Sequence, residues 1–263
     1  MELVVSGILF DSDGTLIDST PSVLRVMSLW CTTQSIELRQ FISEAQHGTR
    51  TKDILRKYQR VPKIGSEMSE EELDWEVKRL EGMVVEMGKA MERNGTGTGV
   101  RALPGVKEFL GKLREVEFKN FGVVTSATRV HALPALELAG IGEVPFVISG
   151  EQVEKGKPHP EPYLAGIERF RLLSSSNDPI DPSTVLVVED APAGFVSGIK
   201  AGCQVLAVCS GPTPAEKVKE AAKRIGGIRV VRDLRDVEVV GMEEGKLRLR
   251  INEIKLDSEE AQT

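Results

Sequence analysis

The sequence predicts an α/β fold: a parallel β-sheet carries helices on both faces, and a helical segment is inserted after the first strand. Three observations predict it. Short apolar runs end abruptly in polar residues at Leu3 to Phe10, Phe121 to Val124, Phe146 to Ile148, Val185 to Val188, Val205 to Val208 and Ile228 to Val231, as strands buried on both faces do. Helix-length segments alternate with the later runs, among them Val130 to Ala139, Glu161 to Phe170, Ala193 to Ala201 and Pro214 to Arg224. Between the first run and the second lie about a hundred residues of helical character, far beyond an ordinary connection.

Taken in order, Met1 to Phe10 has no basic leader and runs directly into Asp11 as a buried strand. Thr20 as N-cap with Pro21 at the first helical position opens the insert, and Ser69-Glu70-Glu71-Glu72 places a cap and an acidic first turn before another long helix. Asn94-Gly95-Thr96-Gly97-Thr98-Gly99 reads as a flexible linker, after which Leu103-Pro104-Gly105 restarts the core. This glycine-rich stretch is no dinucleotide fingerprint, because Val100 takes the place of the final glycine and no strand precedes it. The division expected is a core of residues 1–17 and 99–263 with a helical cap of residues 18–98. Val237 to Val240 and Leu247 to Ile251 alternate in polarity across Gly241 to Gly245, which predicts a C-terminal β-hairpin at a sheet edge. The polar tail 257–263 has nothing to bury and is expected to fray.

Composition narrows the function. The chain has 263 residues, 40% of them hydrophobic and 28% charged, enough for a sizeable core and against disorder. A net charge of -6 gives no general attraction to nucleic acid or acidic lipid, so an anionic ligand has to be captured locally. No apolar run approaches the roughly 18 residues of a membrane helix. Cys31, Cys203 and Cys209 are odd in number and widely spaced, which fits neither a disulfide framework nor a zinc site and predicts a reducing, cytoplasmic setting. A monomer is the default expectation. Asn94-Gly95-Thr96 matches a glycosylation acceptor by chance, since nothing indicates a secretory route.

The sharpest feature is Ile8-Leu9-Phe10-Asp11-Ser12-Asp13-Gly14-Thr15-Leu16, an apolar strand that discharges two carboxylates and a glycine at its carboxyl end. In open α/β sheets that end is where ligands bind. Asp11 and Asp13 lie two residues apart, so an extended backbone aims both side chains similarly, and Gly14 lets the chain turn its N–H groups toward an anion. A divalent cation relieves the repulsion between two such carboxylates and neutralises charge on a transferring phosphoryl group, and magnesium is the natural candidate. Alone, Asp-x-Asp-Gly also fits a turn with N-capping aspartates.

Three later segments share the pattern. Val123-Val124-Thr125-Ser126-Ala127-Thr128 ends a strand in hydroxyls, with Ser126 and the following amide suited to phosphate oxygens. Lys157-Pro158-His159-Pro160-Glu161-Pro162 holds a cation beside a proline-stiffened loop, where the bland reading is an exposed lysine. Val185 to Val188 runs into Glu189-Asp190, which reads either as hard-cation ligands or, for Asp190, as a helix cap.

In this order the four segments resemble the haloacid-dehalogenase superfamily, and the resemblance spans nearly the whole chain. His47-Gly48-Thr49-Arg50-Thr51, Gly156 to Tyr163 and Glu189 to Gly194 are similar to the fungal glycerol-3-phosphate and 2-deoxyglucose-6-phosphate phosphatases. The resemblance implies a Rossmann-like core with a helical cap. It also implies magnesium-dependent hydrolysis of a small sugar or polyol phosphate through an aspartyl-phosphate on Asp11, with Asp13 as acid and base. Ser126, the Ala127 amide and Lys157 would hold the phosphoryl oxygens. The metal would lie against the Asp11 carboxylate, the Asp13 carbonyl and Asp190, with Glu189 direct or through water. His47 and Arg50 would meet the substrate, or else brace the helix Lys52 to Arg60. Ser12 departs from the apolar residue usual between the two aspartates. The alternatives are a sugar-phosphate mutase like β-phosphoglucomutase and a catalytically idle sugar-phosphate sensor.

Overall fold

The run Leu3 to Phe10 is two strands, not one. The computed structural model describes all residues except 45–46, 59–67, 96–98, 174–178 and 257–263. Within it, β1 (Glu2–Val5) alternates exposed and buried residues, whereas β2 (Gly7–Phe10) is buried throughout. Ser6 separates them and donates its N–H to the Thr184 carbonyl at 2.8 Å. The change from alternating to uniform burial marks a strand covered on one face passing into one covered on both.

After β2 come β3 (Ile17–Asp18) and four helices: α1 (Thr20–Gln34), α2 (Leu38–Glu44), α3 (Thr51–Tyr58) and α4 (Glu70–Arg93). Then follow β4 (Arg101–Ala102), α5 (Val106–Glu115), β5 (Phe121–Val124), α6 (Arg129–Leu138), β6 (Val147–Ile148) and α7 (Glu161–Leu173). The chain continues with β7 (Val185–Glu189), α8 (Pro192–Lys200), β8 (Gln204–Val208), α9 (Ala215–Ile225), β9 (Ile228–Val231), β10 (Val237–Glu243) and β11 (Lys246–Ile251).

The main sheet has six parallel strands in the order β6-β5-β2-β7-β8-β9, which puts β2 and β7 side by side at its centre. Successive side chains point to opposite faces, so Ile8 and Phe10 join one apolar cluster with α5 and α6, while Leu9 joins a second with α7, α8 and α9. Helices α1 to α4 enclose a third cluster around Trp30, Phe41, Tyr58, Leu73 and Leu80. The long helix α4 starts as expected, with Ser69 and Glu72 forming a reciprocal capping box.

Three expectations are corrected. The N-cap of α1 is Ser19, not Thr20, and its hydroxyl makes no cap bond because it is turned onto the Asp13 carboxylate. Gly99 is not a loose linker residue: a Cβ there would lie 2.4 Å from the Gly88 Cα, and its carbonyl accepts the Ser22 hydroxyl at 2.7 Å. The rest of that stretch at 96–98, like the tail 257–263 and the end of the helix expected over Lys52 to Arg60, lies outside the described residues. Finally, the C-terminal hairpin does not edge the main sheet. It pairs with β1 in a separate antiparallel sheet, β1-β11-β10, with Leu247, Leu249 and Ile251 buried beneath it. The two crossings between core and helices meet in the short pair β3-β4, tied by Asp18 and Arg101 at 3.0 Å. No helix among the described residues is long and apolar enough to cross a membrane.

Leu249 is fully buried in the same cluster as Phe10. Leu249→Ala is expected to lower stability by about 2–5 kcal/mol, read as a lower denaturant midpoint in equilibrium unfolding. A change well below 1 kcal/mol, judged on the same scale, would show that the small sheet does not belong to the core.

Candidate active site

The carboxyl ends of β2, β5 and β7 and the loop before α7 converge on one buried ammonium. Lys157 Nζ donates to Asp11 Oδ1 at 2.6 Å, to Glu189 Oε1 at 2.7 Å and to the Val124 carbonyl at 2.9 Å. Asp11, Val124 and Glu189 lie 146, 33 and 32 residues away from Lys157 in sequence. Tyr163, fully buried on α7, donates its hydroxyl to Glu189 Oε1 at 2.9 Å. Glu189 Oε2 accepts the backbone N–H groups of Asp190 and Ala191, both at 3.0 Å, at the start of α8. Each of these buried groups has a partner of opposite sign or a donor, which offsets the cost of burying it.

Small residues make room for the cluster. Gly14 has φ +98°, and a Cβ on it would lie 2.3 Å from Asp190 Oδ2. On Gly194 a Cβ would lie 1.7 Å from Glu189 Oε1, and on Gly211 it would lie 2.4 Å from Asp190 Oδ2. The Ser12 carbonyl accepts the N–H groups of Thr15, Leu16 and Ile17, which folds the loop after β2 back on itself. Ser12 itself is fully buried, and its hydroxyl has no partner among the described residues.

Asp11, Glu189 and Asp190 place carboxylate oxygens within 4.8 Å of one another. Against three carboxylates there is one lysine. Burial, and next the charge of Glu189, therefore push the Asp11 carboxyl up to about 8 despite Lys157. Burial raises Asp190 as well, although His47 opposes it. Asp190 Oδ1 is buried with no partner, which suits an oxygen that faces a cation. The donor set is all oxygen, fitting a hard divalent ion.

Asp13 stands apart from this group. Its Oδ1 accepts the Ser19 hydroxyl and the His131 Nε2–H, the latter at 2.9 Å. Burial raises its pKa, but the contacts with His131 and Ser19 outweigh that and hold the carboxyl below its usual range. His131 was not singled out by sequence reasoning; a histidine among apolar residues after a strand gives no local signal.

The other expected residues fall into two groups. His47, 37% exposed at its side chain, reaches the site: Nε2 lies 3.1 Å from Asp190 Oδ2 and 3.2 Å from the Asp13 carbonyl. Burial disfavours a charged ring, but the Asp190 carboxylate prevails and raises the His47 pKa. Ser126 Oγ donates to the Gly48 carbonyl at 2.7 Å, and the Ala127 N–H donates to Thr125 Oγ1 at 3.1 Å. Arg50 touches none of the carboxylates of the cluster. Its guanidinium grips Asp53 at 2.7 and 3.1 Å and the carbonyls of Gly150, Val153 and Glu154, so it braces helix α3 against the core. Arg50 also lines, with Ser126, Thr128, Thr51 and Glu81, a cavity of about 290 Å³ between α3, α4 and the segments that follow β5 and β6. Glu81, which sequence reasoning also missed, accepts the Thr51 hydroxyl at 2.8 Å and both the N–H and hydroxyl of Thr128 at 2.7 and 2.5 Å.

Residues 8–208 match the family of haloacid dehalogenase-like hydrolases. The chain belongs to that family. Hexitol phosphatase A of Escherichia coli is 32% identical to this haloacid dehalogenase-like hydrolase over 214 residues, covering 81% of this chain and 87% of that one. Glycerol-1-phosphate phosphohydrolase 2 of Saccharomyces cerevisiae is 30% identical over 210 residues, covering 80% and 77%. Among solved structures, β-phosphoglucomutase of Clostridium difficile superposes with a TM-score of 0.60 at 20% identity, covering 88% of this chain and 92% of that one. At that identity the likeness is one of fold. The family resemblance and the α/β class expected from the sequence thus both hold, and the chain is a hydrolase whose curated relatives are phosphatases.

Gly194→Ala is expected to drive Glu189 off Lys157 and Tyr163. A displacement of about 1 Å at such a cluster lowers turnover on the order of a hundredfold, measured as phosphate release, while circular dichroism shows the fold retained. Wild-type turnover in this variant would mean that the placement of Glu189 does not matter.

Proposed function

We propose that this hydrolase removes phosphate from a small sugar or polyol phosphate, with Asp11 as nucleophile. The buried Asp11–Lys157–Glu189 cluster at the carboxyl ends of the central strands is the observation that carries the reading. An Asp11 oxygen attacks phosphorus as the ester P–O bond breaks, and Asp13 gives a proton to the departing alcohol oxygen. The resulting aspartyl-phosphate is opened by water, which loses a proton to Asp13. Asp13 must therefore carry a proton at the start, and the approaching phosphate dianion, a like charge, raises its pKa toward that state. Lys157 and Ser126 hold the phosphoryl oxygens, Lys157 by giving up one of its three present acceptors and Ser126 by exchanging the Gly48 carbonyl for phosphate.

Asp11 and Asp190, with the Asp13 carbonyl beside them, would hold a magnesium ion, which would supply charge neutralisation for the transferring group. Glu189 is better suited to stand behind these ligands, since each of its oxygens already accepts from Lys157, Tyr163 or the backbone. His47 contacts the Asp13 carbonyl and the other Asp190 oxygen, Oδ2, so its ring would compete with a bound ion. Residues 18–98 act as a cap, and the cavity beside Ser126 receives the alcohol portion of the substrate. The hexitol and glycerol phosphates named for the two relatives set the size and polarity expected.

Phosphate release from a panel of small phosphate esters, with and without magnesium, tests the reading. Asp11→Asn is expected to lose at least about a thousandfold in kcat. Unchanged turnover in that variant, or turnover indifferent to metal removal, would refute the mechanism.

Protonation of Asp11 adds a pH dependence. Its carboxyl lies at about 8 in the folded protein against 3.8 ordinarily, so the folded chain binds the extra proton. The associated stability is complete below the ordinary value and is lost as pH rises through about 8. A cation has to displace that proton, so magnesium should bind more tightly as pH rises. Magnesium is therefore expected to raise Tm more at about pH 9 than at about pH 6. An equal rise at both would show that Asp11 is ionised throughout.

A further inference from the structure

We propose that His131 is a positioning residue that fixes the Asp13 carboxylate for proton transfer, an inference that rests on Asp13 being the acid and base. His131 lies in the first turn of α6, is only 3% exposed and sits 118 residues from Asp13 in sequence. Its neighbours on the buried side of that helix are Ala132, Ala135 and Leu136, so a space-filling residue here would be apolar. Instead the ring brings Nε2 to 2.9 Å from Asp13 Oδ1, while Nδ1 is buried with no partner. The partner being a carboxylate, Nε2 carries the hydrogen.

The Ser19 hydroxyl binds the same oxygen. Oδ1 thus takes both donors, and among the described residues no hydrogen bond goes to Oδ2. Two donors from separate elements, the turn before α1 and the first turn of α6, lock the carboxylate plane and leave one oxygen for chemistry. In the first step the proton on Oδ2 passes to the departing alcohol oxygen. The charge left on Asp13 is then met by Nε2–H and the Ser19 hydroxyl on Oδ1. In the second step Oδ2 takes a proton from the attacking water. His131 touches neither substrate nor phosphorus; it acts through Asp13.

Leaving groups that differ in their need for a proton test this. p-Nitrophenolate departs unprotonated, whereas an alkoxide does not. The kcat/KM of His131→Leu, His131→Gln and Asp13→Asn, which reports the step in which the alcohol departs and not the later attack of water, is measured on p-nitrophenyl phosphate and on the alkyl phosphate turned over fastest in the panel. His131→Leu is expected to lose about thirtyfold in kcat/KM on the alkyl ester and at most about threefold on the aryl ester. His131→Gln, whose amide reaches the Nε2 position, should recover most of the loss. If His131→Leu does not fold, His131→Asn replaces it, because its shorter amide stops short of Asp13. Equal losses on both esters, or no loss, would overturn the proposal. With a selective loss in Asp13→Asn, that result leaves the acid assignment standing; without one, both fall.

Discussion

One ammonium buried among three carboxylates is the constraint around which this protein is organised. Lys157 bridges the strand that carries Asp11 to the strand that carries Glu189, and the two strands are neighbours at the centre of the sheet. Taking those charges from water is unfavourable by several kcal/mol per ion unless the geometry is excellent. The surroundings show how that geometry is met. Tyr163 and two backbone N–H groups complete the coordination of Glu189, and glycines at 14, 194 and 211 bring backbone where a side chain would collide. Chemistry and packing are inseparable at these positions.

The parts of the site legible in the sequence are those written locally. Asp11, Ser126 and Glu189-Asp190 each follow an apolar run, and a parallel sheet delivers all such strand ends to one side. Lys157 was legible only as a member of that set, since a lysine before proline usually faces solvent. Ser19, Glu81, His131 and Tyr163 escaped for the opposite reason. Each acts on a partner supplied by tertiary packing, and Thr51, for instance, lies 30 residues from Glu81. The split between β1 and β2 had one trace in the sequence, a serine within an apolar run. Its structural cause, the pairing of β1 with β11, is separated by more than 240 residues.

Polar contacts join the helical layer to the sheet. Arg50 holds three core carbonyls, Glu81 takes both donors of Thr128, Ser126 meets Gly48, and His47 spans to Asp190. Apolar packing, by contrast, is concentrated inside each layer, with Trp30, Phe41 and Tyr58 stacked among the inserted helices. Hydrogen bonds of this kind exchange with water or a polyhydroxylated molecule at small net change in free energy, whereas separating an apolar interface does not. The layers are thus joined by polar groups that water can also satisfy.

The small antiparallel sheet carries a further consequence, for the order of assembly. During translation β1 emerges before its partner β11, and β2 before the strands β5 and β7 that flank it. The segment bearing Asp11 has nothing to pair with until more than a hundred residues have followed it from the ribosome. Folding dominated by such distant pairings is slow. Asp11 therefore meets Lys157, 146 residues further along the chain, only when the sheet closes around both.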